Sequence, residues 1–316
     1  MKTHERLWLT GATGLVGSNL LHILNHRFPH LIIQGTSSKQ VNLLNQEITE
    51  NFVHEFKPDI AVLCAARVGG VLSNSRFPAV FSIENQLMQV NALNALINNG
   101  IKRIVFIGSS CIYPKDAPLP LNPRALYTGR LESSNRWYAV AKLAMISALE
   151  AISIERGVST CTLLPTNLYG PNDNFHQEHG HVIPSLISKA YESKVSGKAL
   201  KVWGDGSAYR EILHVKDFCE AIVKVLEVKW SNVVLNVGSG EEFTISEIAT
   251  SISGIAGLGV DPIFDPSKPS GVHRKNLDSS EIRGLGWQPK ISLGEGLQQT
   301  WDWYVRNIQQ IRKGSI

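Results

Sequence analysis

Tyr138 and Lys142 stand four residues apart in the string YAVAK. Residues i and i+4 share one face of a helix, so a phenol and an ammonium can address the same atom. A nearby cation favours a phenolate, which predicts a lowered pKa for Tyr138 and proton exchange near neutral pH. Ser109 follows the apolar run Ile104 to Ile107, which reads as a buried strand, and its hydroxyl can hold the same substrate oxygen. Ser, Tyr and Lys, together with a glycine-rich first turn, imply carbonyl–alcohol redox chemistry with a nicotinamide cofactor. Cys111 is additional to that set. It sits at a strand-to-loop exit and points to a second chemical task.

These side chains need a scaffold that brings strand ends together. Residues 6–9 read as a strand, followed by Gly11, Gly14 and Gly17 and an amphipathic helix to about residue 26. Strands are predicted at 31–34, 60–64, 104–107 and 160–164, with helices at 47–56, 78–98 and 137–156. Alternating strands and helices mean βαβ units, and near-continuously apolar strands mean a sheet covered on both faces. The expected fold is α/β: a Rossmann-type doubly wound parallel sheet over residues 1–170, with later segments returning to it. From residue 171 a smaller C-terminal α/β lobe is expected. Its pieces are a loop-like segment at 165–181, helices at 182–193, 217–228 and 246–255, strands at 200–203 and 233–237, and tail segments at 266–275 and 294–307. It should lie over the strand ends, where open α/β sheets bind ligands.

Composition narrows the class. With 18% charged and 43% hydrophobic residues, the chain has the balance of a globular enzyme. The net charge of +4 comes from scattered Lys and Arg. No basic run or aromatic-interleaved stripe argues for nucleic acid, and the mild surplus suits phosphate-bearing small ligands. The first residues are polar and no window approaches a membrane span of ~18 apolar residues, so a cytoplasmic protein is expected. Cys64, Cys111, Cys161 and Cys219 have no metal-type spacing, and Cys64 and Cys161 read as core. His176, His179 and His181 share one loop, but no carboxylate or cysteine completes a ligand set, so no metal is expected.

The glycine turn has the context a phosphate cradle requires, with a strand before it and a helix after it. The turn lets backbone approach closely, and the helix N-terminus offers free N–H groups to a pyrophosphate. An acidic residue after the second strand would mark NAD. Here that segment, 34–39, has no carboxylate and offers hydroxyls and Lys39, which suits a 2′-phosphate and favours NADP (NADPH).

With these pieces placed, the chain resembles the extended short-chain dehydrogenase/reductase family, and within it the epimerase/reductases of GDP-4-keto-6-deoxy sugars. The resemblance spans nearly the whole chain. It is carried by AARVGG at 65–70, GSSCIYPK at 108–115, YAVAK at 138–142, PTNLYGP at 165–171, DNF at 173–175, HVIP at 181–184, VWG at 202–204, REILH at 210–214 and the Arg274–Lys275 pair. It implies that Ser109, Tyr138 and Lys142 form the reductase triad, and that Cys111 and His181 move protons during epimerisation. It places Gly11, Thr13, Gly14, Leu15, Val16 and Gly17, then Ser38, Lys39, Asn42, Leu43, Ala65, Ala66, Pro165, Leu168 and His181, along the cofactor with Tyr138 and Lys142. Lys189, Trp203, Arg210 and Lys275 would contact the GDP part of the substrate.

The family usually carries basic residues facing the 2′-phosphate where this chain has Thr13 and the run Thr36 to Ser38. The implied reaction is 3,5-epimerisation and 4-reduction of GDP-4-keto-6-deoxy-D-mannose. Siblings acting on the GDP-sugars that lead to colitose or to a 6-deoxy-heptose are the alternative, and a non-catalytic NADP-binding regulator is disfavoured by the intact triad. Relatives pair the helices at 78–98 and 137–156 into a four-helix bundle, and apolar stripes on both predict a homodimer here.

Overall fold

The computed structural model describes residues 4–268 and 271–311. Residues 269 and 270 of the predicted tail segment therefore lie outside the described residues. Strands β1 (Arg6–Thr10), β2 (Ile32–Thr36), β3 (Ile60–Leu63), β4 (Arg103–Ile107) and β5 (Ser159–Pro165) form a parallel sheet, completed by β9 (Val233–Val237). The order is β2-β1-β3-β4-β5-β9, so the chain reverses direction across the sheet between β1 and β3. Side chains alternate along each strand. In β1, Leu7 and Leu9 face one layer and Trp8 the other.

Helices cover both faces. On one side α1 (Leu15–Arg27) and α7 (Val215–Glu227) bring Leu20, Leu24, Phe218 and Ile222 onto Leu7, Leu9 and Val105. On the other, α2 (Gln46–Phe56), α4 (Asn85–Asn98) and α5 (Arg136–Arg156) bring Val53, Leu93, Leu96, Met145 and Leu149 onto Trp8, Ala61 and Ile104. A π-helical turn, Val80–Glu84, leads into α4, and the short α3 (Val71–Arg76) precedes it.

The second layer contains α6 (Val182–Ser196), α8 (Ile245–Ala256) and α10 (Leu293–Asn307), packed through Leu186, Ile187, Ile248, Ile252, Trp301 and Tyr304. Its strands are β6 (Asn167–Tyr169), β8 (Tyr209–His214) and β10 (Glu242–Thr244) in one small sheet, and β7 (Lys201–Trp203) with β11 (Ile263–Asp265) in another. The remaining helix, α9 (Ser280–Gly284), packs against β9.

Several expectations need correction. The segment 165–181 is not all loop, because β6 forms there by pairing with β8. β8, β10 and β11 were not foreseen, since strands of three to six residues exist through their partners rather than through intrinsic preference. The segments read as a lobe helix at 217–228 and a lobe strand at 233–237 are α7 and β9, and both build the main layer. Cys161 is core, but Cys64 is only half-buried. Finally, α5 does reach a mean hydropathy of 1.4 over 18 residues, long and apolar enough to cross a membrane by length and composition. Here one of its faces, from Tyr138 and Ala139 to Leu149, lies within the core.

Candidate active site

The glycine turn leaves β1 at the switch point. Gly11 has φ +67°, and a Cβ there would lie 2.9 Å from the Ala65 backbone. A Cβ on Gly17 would strike the Gly11 carbonyl. The two glycines thus serve close backbone packing, and Thr10 Oγ1 seals the join by accepting from the Cys64 and Ala65 N–H groups, both at 3.1 Å. Gly14 caps α1 with no side-chain hydrogen bond, so the helix N-terminus is open to an anion. Leu15 and Val16, in its first turn, are half-buried.

Beside this turn, Thr10, Leu43, Ala65, Met88 and Gln89 line a pocket between the sheet and α4. Gln89 Nε2 is buried there without a partner. An orphaned donor over apolar walls fits a ligand that carries hydrogen-bond acceptors. Asn42 is exposed above it, and Ala66, Pro165 and Leu168 follow at the ends of β3 and β5 and in β6.

The segment after β2 differs from its reading in one respect. Thr36 does not offer its hydroxyl outward: it is buried and accepts from the Trp8 indole N–H at 3.0 Å. Ser37 Oγ donates to Gln40 at 2.8 Å. Thr13, Ser38 and Lys39 are exposed, and these remain the groups able to meet a 2′-phosphate.

Ser109 ends the β4 segment, and its hydroxyl accepts from the Cys111 N–H at 3.1 Å. Tyr138 and Lys142 come from the first two turns of α5 and are both buried. The Lys142 ammonium donates to the Ile107 carbonyl at 2.7 Å and lies 4.5 Å from the Phe106 ring centroid and 5.6 Å from that of Tyr138. The expected lowering of the Tyr138 pKa is not found. Burial pushes the phenol up, the negative form of Cys111 adds to this, and a Ser109 hydrogen bond opposes it. Burial brings Lys142 down to about 7, partly offset by Cys64. Desolvation is the largest cause at both groups, raising the phenol and lowering the ammonium, so the neutral form of each is favoured.

Cys111 is half-buried in a 3-10 turn, Ser110–Ile112. The turn is pinned from beneath, because the buried Tyr113 hydroxyl donates to Asn236 at 2.6 Å and Asn236 donates to the Leu121 carbonyl at 2.7 Å. His181 is the N-cap residue of α6, and burial lowers its pKa. The other two loop histidines are committed elsewhere. His176 Nδ1 accepts from two backbone N–H groups at 3.2 Å, and His179 Nδ1 bonds Ser73 Oγ at 2.9 Å.

In the second layer, Lys189 of α6 places its ammonium 4.7 Å from the centroid of the half-exposed Trp203 ring, and burial lowers its pKa. Arg210 on β8 donates to the Val272 carbonyl at 2.6 Å, and its charge interacts with Cys111. Lys275 is half-buried on the same strap, 271–278, whereas Arg274 is engaged by Glu242 at 2.6 Å. Sequence reasoning gave no role to Glu211, which is fully buried and staples the strap: its carboxylate accepts from the Gly240 and Leu277 N–H groups, both at 2.8 Å. It also missed Asn85, whose side chain accepts from the Arg67 N–H at 2.8 Å and donates to the Arg67 carbonyl at 3.1 Å, fixing the loop after β3. No periodicity marks either residue. A polar side chain within an apolar run is the only available signal.

A parallel sheet with its glycine turn at the switch point, and Ser, Tyr and Lys at the adjoining strand and helix ends, defines a nicotinamide-dependent oxidoreductase of the short-chain dehydrogenase/reductase type. Residues 7–238 match the NAD dependent epimerase/dehydratase family, and the chain belongs to it. GDP-L-fucose synthase 1 of Arabidopsis thaliana is 42% identical over 305 residues, 96% of this chain and 94% of that protein. GDP-L-fucose synthase of Escherichia coli (strain K12) is 36% identical over 318 residues, 98% and 99% of the two chains. Among solved structures, MlghC, a GDP-mannoheptose C4 reductase from Campylobacter jejuni with NADP bound, superposes with a TM-score of 0.85 at 27% identity, covering 96% of this chain and 99% of that one.

Proposed function

We propose that this enzyme converts GDP-4-keto-6-deoxy-D-mannose to GDP-L-fucose by 3,5-epimerisation and NADPH-dependent 4-reduction. The observation that carries the reading is the grouping of Tyr138 with Ser109, Cys111 and Lys142 at the ends of β4 and α5, and His181 at the start of α6 is assigned to the same site. A 4-ketone makes the protons on C3 and C5 acidic, because the carbanion delocalises onto the ketone oxygen. Tyr138, kept protonated by burial, and Ser109 donate hydrogen bonds to that oxygen and stabilise its developing charge. Cys111 and His181 remove and return protons on opposite faces of the ring. A reduced nicotinamide, when bound, would supply the hydride for C4. Tyr138 supplies the proton to the resulting oxygen, and Lys142 restores the phenol. Lys189, Trp203, Arg210 and Lys275 hold the GDP portion, with cations for the diphosphate and an aromatic face for the base.

Three finer assignments belong to the same proposal. NADPH is the cofactor, supported by the absence of a carboxylate after β2, with Thr13, Ser38 and Lys39 facing the 2′-phosphate. The chain acts as a homodimer through a four-helix bundle, supported by an exposed apolar stripe: Ile83, Leu87 and Val90 on the π turn and α4, and Val140 and Ile154 on α5. It works in the cytoplasm, where nucleotide-sugar substrates are made. A sibling reaction, reduction of another GDP-4-keto sugar, is the second reading, favoured by the likeness to MlghC.

The test is incubation with GDP-4-keto-6-deoxymannose and NADPH, following reduced-nicotinamide absorbance and identifying the sugar released. GDP-L-fucose is expected, and Tyr138→Phe is expected to abolish turnover while binding cofactor normally. A reduced sugar that is never epimerised identifies a plain 4-reductase and sinks the proposal.

A further inference from the structure

The backbone just before His181 is held by contacts to the loop after β3 and to α3, and these form a connected set. On the cofactor side, the loop after β3 is clamped at Arg67 by Asn85. Farther along, Asn74 donates to the Gly69 carbonyl at 2.9 Å and the Gly70 carbonyl at 3.1 Å. The loop ends at Gly70, whose N–H donates to the His179 carbonyl at 2.9 Å. A Cβ on Gly70 would lie 2.8 Å from the Gly180 oxygen, so the two segments touch backbone to backbone. One turn into α3, the fully buried Ser73 hydroxyl bonds His179 Nδ1 at 2.9 Å. Gly180 in turn donates to the His176 carbonyl at 2.8 Å, and His181 follows as the N-cap residue of α6.

We infer that Ser73 and His179 are positioning residues for His181: they form a clasp that holds the proton-moving imidazole against the cofactor-lining loop. This rests on the role of His181 given above and adds what sets its place. Neither Ser73 nor His179 touches a reacting atom. The loop from Asp173 to Gly180 also has hydrogen bonds that do not involve the clasp: Asp173 Oδ1 accepts from the Asn174 N–H at 2.7 Å, and the Ser185 hydroxyl donates to the Gln177 carbonyl at 2.6 Å. What is lost without the clasp is the side-chain half of its anchorage to α3, leaving the Gly70 N–H to His179 carbonyl bond alone to set the register. Proton transfer is sensitive to sub-ångström placement of the base, whereas hydride transfer depends on the separate Ser109, Tyr138 and Lys142 group. The clasp should therefore govern epimerisation selectively.

The experiment is product partition in D2O with NADPH and GDP-4-keto-6-deoxymannose, comparing wild type with Ser73→Ala, Ser73→Thr and His179→Phe, each checked for a native circular dichroism spectrum. Ser73→Ala and His179→Phe are expected to raise the share of reduced, un-epimerised sugar about tenfold and to cut deuterium at C3 and C5, with the KM for NADPH within twofold of wild type. Ser73→Thr keeps the hydroxyl and is expected to restore wild-type partition. His179→Phe keeps the ring and supplies the answer should Ser73→Ala be unstable. Wild-type partition in a folded Ser73→Ala or His179→Phe overturns the clasp. An equal fall in reduction and epimerisation also overturns it, by showing a general structural role. If the wild type itself incorporates no deuterium, the failure belongs to the epimerisation reading instead.

Discussion

Lys142→Met in the cofactor-free protein should stabilise the fold at neutral pH, by an amount that shrinks as pH rises. The ammonium is buried and its pKa falls from 10.5 to about 7. At about 1.4 kcal/mol per unit, that displacement corresponds to about 5 kcal/mol of destabilisation carried by the charged form. The sign follows from proton counts. Between pH 7 and 10.5 the unfolded chain holds a proton at this site that the folded chain does not, so wild-type stability rises with pH there. The penalty is fully present below pH 7 and has gone above 10.5. Against it stand the hydrogen bond to the Ile107 carbonyl, worth about 1 kcal/mol, and the ring contacts with Phe106 and Tyr138, together about 1 kcal/mol. Methionine keeps the unbranched length without the charge. The variant should be more stable by about 3 kcal/mol at pH 6.5 and by only about 1 kcal/mol at pH 9, where the neutral amine no longer makes cation–ring contacts. Urea unfolding followed by tryptophan fluorescence at pH 6.5, 7.5, 8.5 and 9 measures the difference directly. A difference that does not change with pH, or one that grows as pH rises, refutes the claim that burial sets the protonation of Lys142.

Cys111→Ser should damage epimerisation far more than hydride transfer, because a serine hydroxyl is a much weaker acid than a thiol. Deuterium at C3 and C5 should drop and un-epimerised sugar should appear, and retention of full exchange would remove Cys111 from the mechanism. NADPH should bind about tenfold more tightly than NADH, or about 1.4 kcal/mol, since hydroxyls and Lys39 replace stronger cations. Fluorescence titration showing an NADH preference would reverse that assignment. Leu87→Glu, on the exposed stripe where Leu87 is 46% and Val90 52% accessible, should convert a dimer to a monomer by light scattering at micromolar concentration. A wild type that is already monomeric ends the four-helix-bundle proposal.

The parallel sheet and the glycine turn were legible before folding. These depend on local spacing: apolar runs bounded by breakers, and glycines ahead of a helix. The short strands of the second layer were not legible, because β6 and β10 have three residues each and take their conformation from β8. A return of later segments to the main layer was expected, but not that α7 and β9 are those segments, which is a matter of partner choice across more than 70 residues of chain. Protonation was decided by tertiary structure alone. Spacing brings Lys142 beside Tyr138 and suggests an acidic phenol. The depth of burial reverses this, because removing water penalises the charged form of each group. The same holds for Thr36, whose hydroxyl looked available until the fold turned it toward Trp8. It holds too for Ser73 and His179, 106 residues apart in the chain and 2.9 Å apart in the fold. Side-chain type and local period are written in the chain, whereas solvent exclusion and long-range contact exist only once it has folded.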